Sequence, residues 1–422
     1  MINDCGAKPS SSLIDFQALG FGVVGSPGLG FPRAMQNLFP LIAAAGVLAG
    51  SARAEEAAPL PEFAAITGRM ESFVKSGEIA GAVTLVADRG KTLHVSCAGS
   101  ADLGTGKAMT PDAVFWIASM TKPVTGTAVM MMQEAGLLSV GDPVSKYLPE
   151  FRDLKDAEGG NVTITIAQCL THSSGLSEVG GDESAGVSTL AGLMPLIVAK
   201  PVKFAPGSKW EYCQTGINTA ARVVEVVSGK PFPEFLDERL FGPLGMKDTT
   251  FYPTDDMIGR LATAYRKGAD GKLETTGISF LGGKSLADRN RYPRANGGLF
   301  STAGDYARFC RMILNGGELD GRRYLKPESV KQMTTVQSGD LKTGFTPGNG
   351  WGLGWCVIRE PQGVSATLSP GTFGHGGAFG TQAWIDPVKN RCHILMVQRA
   401  DFPNSDGSDV RKAFHEAAAT LP

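Results

Sequence analysis

Short β-branched runs sit near both ends of this chain, and helical patterns fill the long stretch between them. Gly81 to Ala87 (GAVTLVA) and Thr92 to Cys97 flank the turn Asp88-Arg89-Gly90-Lys91, which predicts a hairpin. Gly352 to Arg359, Thr381 to Ile385 and Cys392 to Gln398 read as strands close to the other end. One antiparallel sheet built from both chain ends, with flanking helices and a mainly helical insert, satisfies this order. The expected class is therefore α/β, with residues 60–124 and 346–422 forming a sheet domain and 125–345 a mainly helical domain. Phe63, Ile66, Met70, Phe73 and Val74 recur at helical spacing within 60–77. Val124 to Leu137, Thr215 to Val227, Ala303 to Leu314 and Ser408 to Thr420 are further expected helices.

The first 54 residues read differently. Leu38 to Gly50 (LFPLIAAAGVLAG) is an apolar run of signal-peptide length, too short for a membrane span. The small-x-small pattern Ala52-Arg53-Ala54 follows it, and Met35 stands where such a leader would begin. Export to the periplasm or beyond is the expectation, with a cytoplasmic protein as the alternative.

Several function classes fall away on composition. The chain has 422 residues and a net charge of -1, and no Lys/Arg-rich run, which argues against nucleic acid as a partner. Its seven cysteines form no C-x-x-C pair and its five histidines no H-E-x-x-H, so neither a metal nor another cofactor is expected.

Chemistry enters with Ser-x-x-Lys, which puts a hydroxyl and an amine one helical turn apart on the same face. A serine hydroxyl needs a base to become a nucleophile, and a lysine can be that base once its pKa is lowered. The pattern occurs at Ser119-Met120-Thr121-Lys122 and at Ser72-Phe73-Val74-Lys75. Ser72 and Lys75 fall on the polar face of an amphipathic helix, where a solvated pair is the plain explanation. Ser119 ends the apolar run Val114 to Ala118 and opens a helix, with Pro123 in the tolerant first turn. An ordinary helix-capping serine remains the competing reading of Ser119. No serine has glycine at both −2 and +2, so the nucleophile elbow of many esterases is absent.

The stretch Phe115-Trp116-Ile117-Ala118-Ser119-Met120-Thr121-Lys122-Pro123 resembles the nucleophile motif of class C β-lactamase-like serine hydrolases, the group that includes family VIII carboxylesterases. Leu170 to Leu176, Phe204 to Gly207, Pro243 to Met246, Gly297 to Thr302 and Trp351 to Trp355 resemble other segments of that family, in order, from about residue 60 onward. The resemblance implies a penicillin-binding-protein/β-lactamase-like fold. The family's Tyr-x-Asn motif is represented here by Tyr212-Cys213-Gln214, with a longer amide in the last place. The resemblance places the Tyr212 hydroxyl beside Ser119 and Lys122 and makes Gln214 a substrate contact. Whether Tyr212 or Lys122 is the base stays open.

The third family motif is Lys-Thr-Gly or His-x-Gly. Lys342-Thr343-Gly344 has the right letters but precedes the Trp351–Trp355 segment that the motif should follow. Gly374-His375-Gly376-Gly377-Ala378 stands in the expected place, ahead of a strand. His375, Gly376 and Gly377 are then substrate-binding by implication, and the N–H groups of Ser119 and Ala378 form the oxyanion hole.

The implied activity is hydrolysis of small carboxylic esters through an acyl-enzyme on Ser119. A histidine, mostly neutral at pH 7, anchors a substrate carboxylate less well than a lysine, which turns the reading away from β-lactams and D-Ala peptides. Those activities are the alternative, and a non-catalytic cell-wall-binding relative is the third reading. The expected partner is a small-molecule ester; the sequence leaves the oligomeric state open.

Overall fold

The computed structural model describes residues 63–344, 346–402 and 407–419. The leader and its cleavage pattern lie outside the described residues. In chain order, helix α1 (Ala64–Lys75) precedes the strands β1 (Gly81–Ala87), β2 (Thr92–Asp102) and β3 (Lys107–Ala108). A short strand β4 (Phe115–Trp116) leads to helix α2 (Thr121–Glu134). Helix α3 (Gln214–Ser228), strand β5 (Phe300–Ser301) and helix α4 (Ala303–Leu314) follow in the middle of the chain. Strands β6 (Asn349–Trp351), β7 (Cys356–Ile358), β8 (Phe373–Gly376), β9 (Gln382–Asp386) and β10 (Arg391–Met396) and helix α5 (Asp409–Ala419) complete the set used below.

The main sheet has eight strands in the order β6-β7-β8-β9-β10-β1-β2-β3. Every neighbouring pair is antiparallel, and the two chain ends meet where Val83 of β1 pairs with Met396 of β10. This is the antiparallel sheet built from both chain ends that the sequence pattern leads one to expect. Strand β1 is buried along its whole length because both of its faces are covered. Val83, Leu85 and Ala87 join the large core on one side; Ala82 and Val86 join a second cluster on the other, with period 2. That second cluster holds Phe63, Ile66 and Met70 from α1 and its entry, and Val410 and Phe414 from α5. Full burial of an aliphatic or aromatic side chain is worth about 1.5–3 kcal/mol, so these few residues fix both terminal helices.

Two details depart from the sequence pattern. Gly352 to Arg359 does not form one strand, because the chain turns through Gly352 to Trp355 between β6 and β7, with Gly354 at φ +81°. A Cβ on Gly354 would stand 2.7 Å from the Lys122 carbonyl, so glycine there lets α2 pass against the turn. Helix α4, although central in the sequence, packs on the sheet: Tyr306, Phe309, Cys310 and Ile313 share the core of β1 and β10. Among the described residues, no helix is long and apolar enough to cross a membrane.

Candidate active site

Strand β4 pairs antiparallel with β5, and the chain then bends sharply at Ala118, whose φ is +45°. A left-handed conformation at a residue with a Cβ costs on the order of 1 kcal/mol. Here it turns strand into helix within one residue and sets Ser119 at a helix N-terminus. Backbone N–H groups in that position lack intrahelical partners. Helix α2 continues as a core helix, buried from Thr121 to Met132. Lys122 therefore has no route for its amine to bulk water and is fully buried.

The Lys122 ammonium nitrogen finds two partners instead: Ser119 Oγ at 2.9 Å and the Asn296 carbonyl at 2.7 Å. Burial lowers the Lys122 pKa to about 7, with Glu178 pulling weakly in the other direction. Thr125 Oγ1 donates to the Ala295 carbonyl at 2.7 Å and Leu299 N–H to Thr121 Oγ1 at 3.2 Å. Successive polar side chains of α2 thus pin the segment 295–299 across the site. Tyr212 reaches the same point from an extended stretch just before α3, its hydroxyl donating to Ser119 Oγ at 2.9 Å. The Lys122 nitrogen also sits 4.6 Å from the centre of the Tyr212 ring. A single hydroxyl oxygen is thereby held between an amine and a phenol, the arrangement needed to remove its proton and return one elsewhere.

His375 lies buried in β8. Its Nδ1 is 2.6 Å from the Gly376 carbonyl and can only donate there, and its unprotonated Nε2 lies 3.5 Å from the Tyr212 hydroxyl, whose proton points to Ser119. Burial, then the nearby Lys122 charge, lowers its pKa to about 3, so the ring is neutral at pH 7. Gly377 passes so close to the turn before Ser119 that a Cβ would lie 2.6 Å from the Ile117 carbonyl. Ala378 follows as the exposed residue of an otherwise buried connection between β8 and β9, and its N–H donates to no other described residue. The Gln214 amide pairs with that of Asn296 at 2.9 Å and makes no hydrogen bond to Ser119 or Lys122.

The two decoy motifs lie elsewhere. Ser72 is exposed on α1 and donates back to the Gly68 carbonyl. Lys342 is exposed in the loop before β6 and makes no hydrogen bond to Ser119, Lys122 or Tyr212.

Four contributors escaped the sequence reading: Ala118, the Asn296 carbonyl, His172 and Glu178. Glu178 accepts the N–H groups of Gln214 and Thr215 at the start of α3, at 2.5 and 3.2 Å. Asn296 and His172 fall within or beside segments that resemble the family, which is the signal the sequence offers for them. A backbone carbonyl leaves no mark of its own in a sequence.

A family model described as Beta-lactamase matches residues 66–418. The chain is 28% identical over 372 residues to an esterase, EstB, of Burkholderia gladioli, covering 80% of this chain and 92% of the relative. It is 29% identical over 324 residues to a putative D-alanyl-D-alanine carboxypeptidase of Escherichia coli, covering 72% of each. Among solved structures, EstCE1, a hydrolase with promiscuous acyltransferase activity, superposes with a TM-score of 0.73 at 25% identity, covering 85% of this chain and 98% of its own.

Proposed function

The chain belongs to the β-lactamase family as a serine hydrolase, and on that premise we propose that it is a carboxylesterase acting on small uncharged esters through an acyl-enzyme on Ser119. The observation that carries this reading is the Ser119 hydroxyl held at 2.9 Å by both Lys122 and Tyr212.

Neutral Lys122 takes the Ser119 proton as Oγ attacks the ester carbonyl. The resulting oxyanion is stabilised by the Ser119 and Ala378 N–H groups. When the C–O bond breaks, Tyr212 hands its proton to the departing alkoxide and is reprotonated from Lys122. Water then adds to the acyl-enzyme, its proton passing to the same Tyr212–Lys122 pair, and Ser119 leaves with a proton restored. Carboxylic acid and alcohol are the products. Gln214, His375, Gly376 and Gly377 border the ester.

Esters are preferred over carboxylate-bearing substrates because neutral His375 brings no positive charge to the third motif. The Escherichia coli relative supports the second reading, a D-Ala carboxypeptidase. Turnover of p-nitrophenyl acetate, nitrocefin and a D-Ala-D-Ala peptide by one preparation separates the readings. Ester turnover well above the other two is expected; dominant peptide or nitrocefin hydrolysis would replace the esterase reading. The leader fits secretion, with residues 1–54 removed on export.

A further inference from the structure

We propose that His172 is a positioning residue that fixes Tyr212 for proton transfer; the inference rests on the catalytic role given to Tyr212 above. Three consecutive residues, Glu211, Tyr212 and Cys213, are each gripped by His172. Its carbonyl accepts the Glu211 N–H at 2.9 Å. Its Nδ1 lies 3.0 Å from both the N–H and the carbonyl oxygen of Cys213, so either neutral tautomer bonds that residue. Its ring rests against the ring of Tyr212, with centroids 4.5 Å apart.

This grip depends on an uncommon backbone conformation. His172 has φ +59°, which carries carbonyl and ring toward the same segment. The residue is 1% exposed, and Trp351 and Trp210 pack edge-on against the ring at 4.9 and 5.8 Å. Its Nε2 is buried and has no hydrogen-bond partner among the described residues. The ring therefore serves the 211–213 segment and no other polar group. A protein that needed only bulk here would have no use for a left-handed histidine whose one ring hydrogen bond goes to the neighbour of Tyr212. Displacing a catalytic group by about 1 Å can cost on the order of 10²-fold in rate.

Glycine and asparagine both tolerate positive φ, so they test the side chain with little change in backbone strain. His172→Gly removes ring and hydrogen bond; His172→Asn keeps a short polar group able to reach Cys213. The readouts are kcat, KM and melting temperature, on an alkyl ester and a p-nitrophenyl ester of the same acid. A poor alkoxide leaving group needs the Tyr212 proton more than p-nitrophenolate does. His172→Gly is expected to lose on the order of 10²-fold in kcat on the alkyl ester, clearly less on the p-nitrophenyl ester, with KM little changed. His172→Asn is expected to recover most of that loss. In a Tyr212→Phe background, His172→Gly should cost little more, because its target is already gone. Equal losses on both esters, an Asn variant as poor as Gly, or losses that multiply with Tyr212→Phe would overturn the proposal. Should His172→Gly fail to fold, the Asn variant and its Tyr212→Phe double decide alone: an Asn variant near wild type supports the proposal, and a loss persisting in the double overturns it. If Tyr212→Phe itself keeps full activity, the catalytic reading of Tyr212 fails first, and the two failures are distinguishable.

Discussion

Raising the pH from 6 to 8 should switch the enzyme on through Lys122. Its amine is fully buried, and burial lowers its pKa from 10.5 to about 7. A base with that pKa is about a tenth neutral at pH 6 and about nine-tenths neutral at pH 8, so kcat/KM should rise roughly tenfold across the window. The same shift has a stability side. Between about pH 7 and 10 the unfolded chain holds a proton on Lys122 that the folded chain lacks, so this group stabilises the fold progressively as pH rises. Below pH 7 both states are protonated and the folded protein bears the full penalty, on the order of 5 kcal/mol. Lys122→Met should accordingly abolish turnover while making the protein more resistant to urea at pH 6, less so at pH 9. The assay is kcat/KM for an alkyl ester by pH-stat, paired with urea melts of wild type and Lys122→Met at both pH values. An inflection near pH 10, or a Met variant less stable at pH 6 than at pH 9 relative to wild type, would refute the claim that Lys122 is a neutral base.

Other outcomes follow from the same geometry. Tyr212→Phe should lower kcat by on the order of 10²–10⁴ while costing about 1 kcal/mol of stability, read from kinetics beside thermal melts. Lys342→Ala should be silent in the ester assay and His375→Ala should change kcat or KM by about tenfold or more, since of these two side chains it is His375 that reaches Tyr212; the reverse ranking would restore Lys342-Thr343-Gly344 as the third motif. Mass spectrometry of exported protein should find a mature N-terminus near Glu55, and an intact leader on active cytosolic protein would defeat the export reading.

Much of the fold was legible because its signals are local. The β-branched run Gly81 to Ala87 is one strand of a hairpin, as its turn residues required. Helix α3 runs from Gln214 to Ser228 and α4 from Ala303 to Leu314, close to their periodic patterns. Ser119 and Lys122 were legible as a pair because one helical turn fixes their spacing. The rest depends on long-range encounters. Gly352 to Arg359 looks extended residue by residue, yet packing of Gly354 on the Lys122 carbonyl forces a turn. The second partner of Lys122 is a carbonyl 174 residues away, and no side-chain identity announces it. Gln214 stood out as an amide in the right place, but its partner is Asn296, which three-dimensional packing alone could supply.

The claim on which everything else depends is that Ser119 carries the acyl group. Wild-type protein treated with a fluorophosphonate ester, digested and sequenced by mass spectrometry, tests it most directly. The account predicts a single covalent adduct on the peptide containing Ser119, with loss of esterase activity in proportion to labelling, and no adduct on Ser119→Ala. An adduct on Ser72, or full esterase activity in Ser119→Ala, would contradict it.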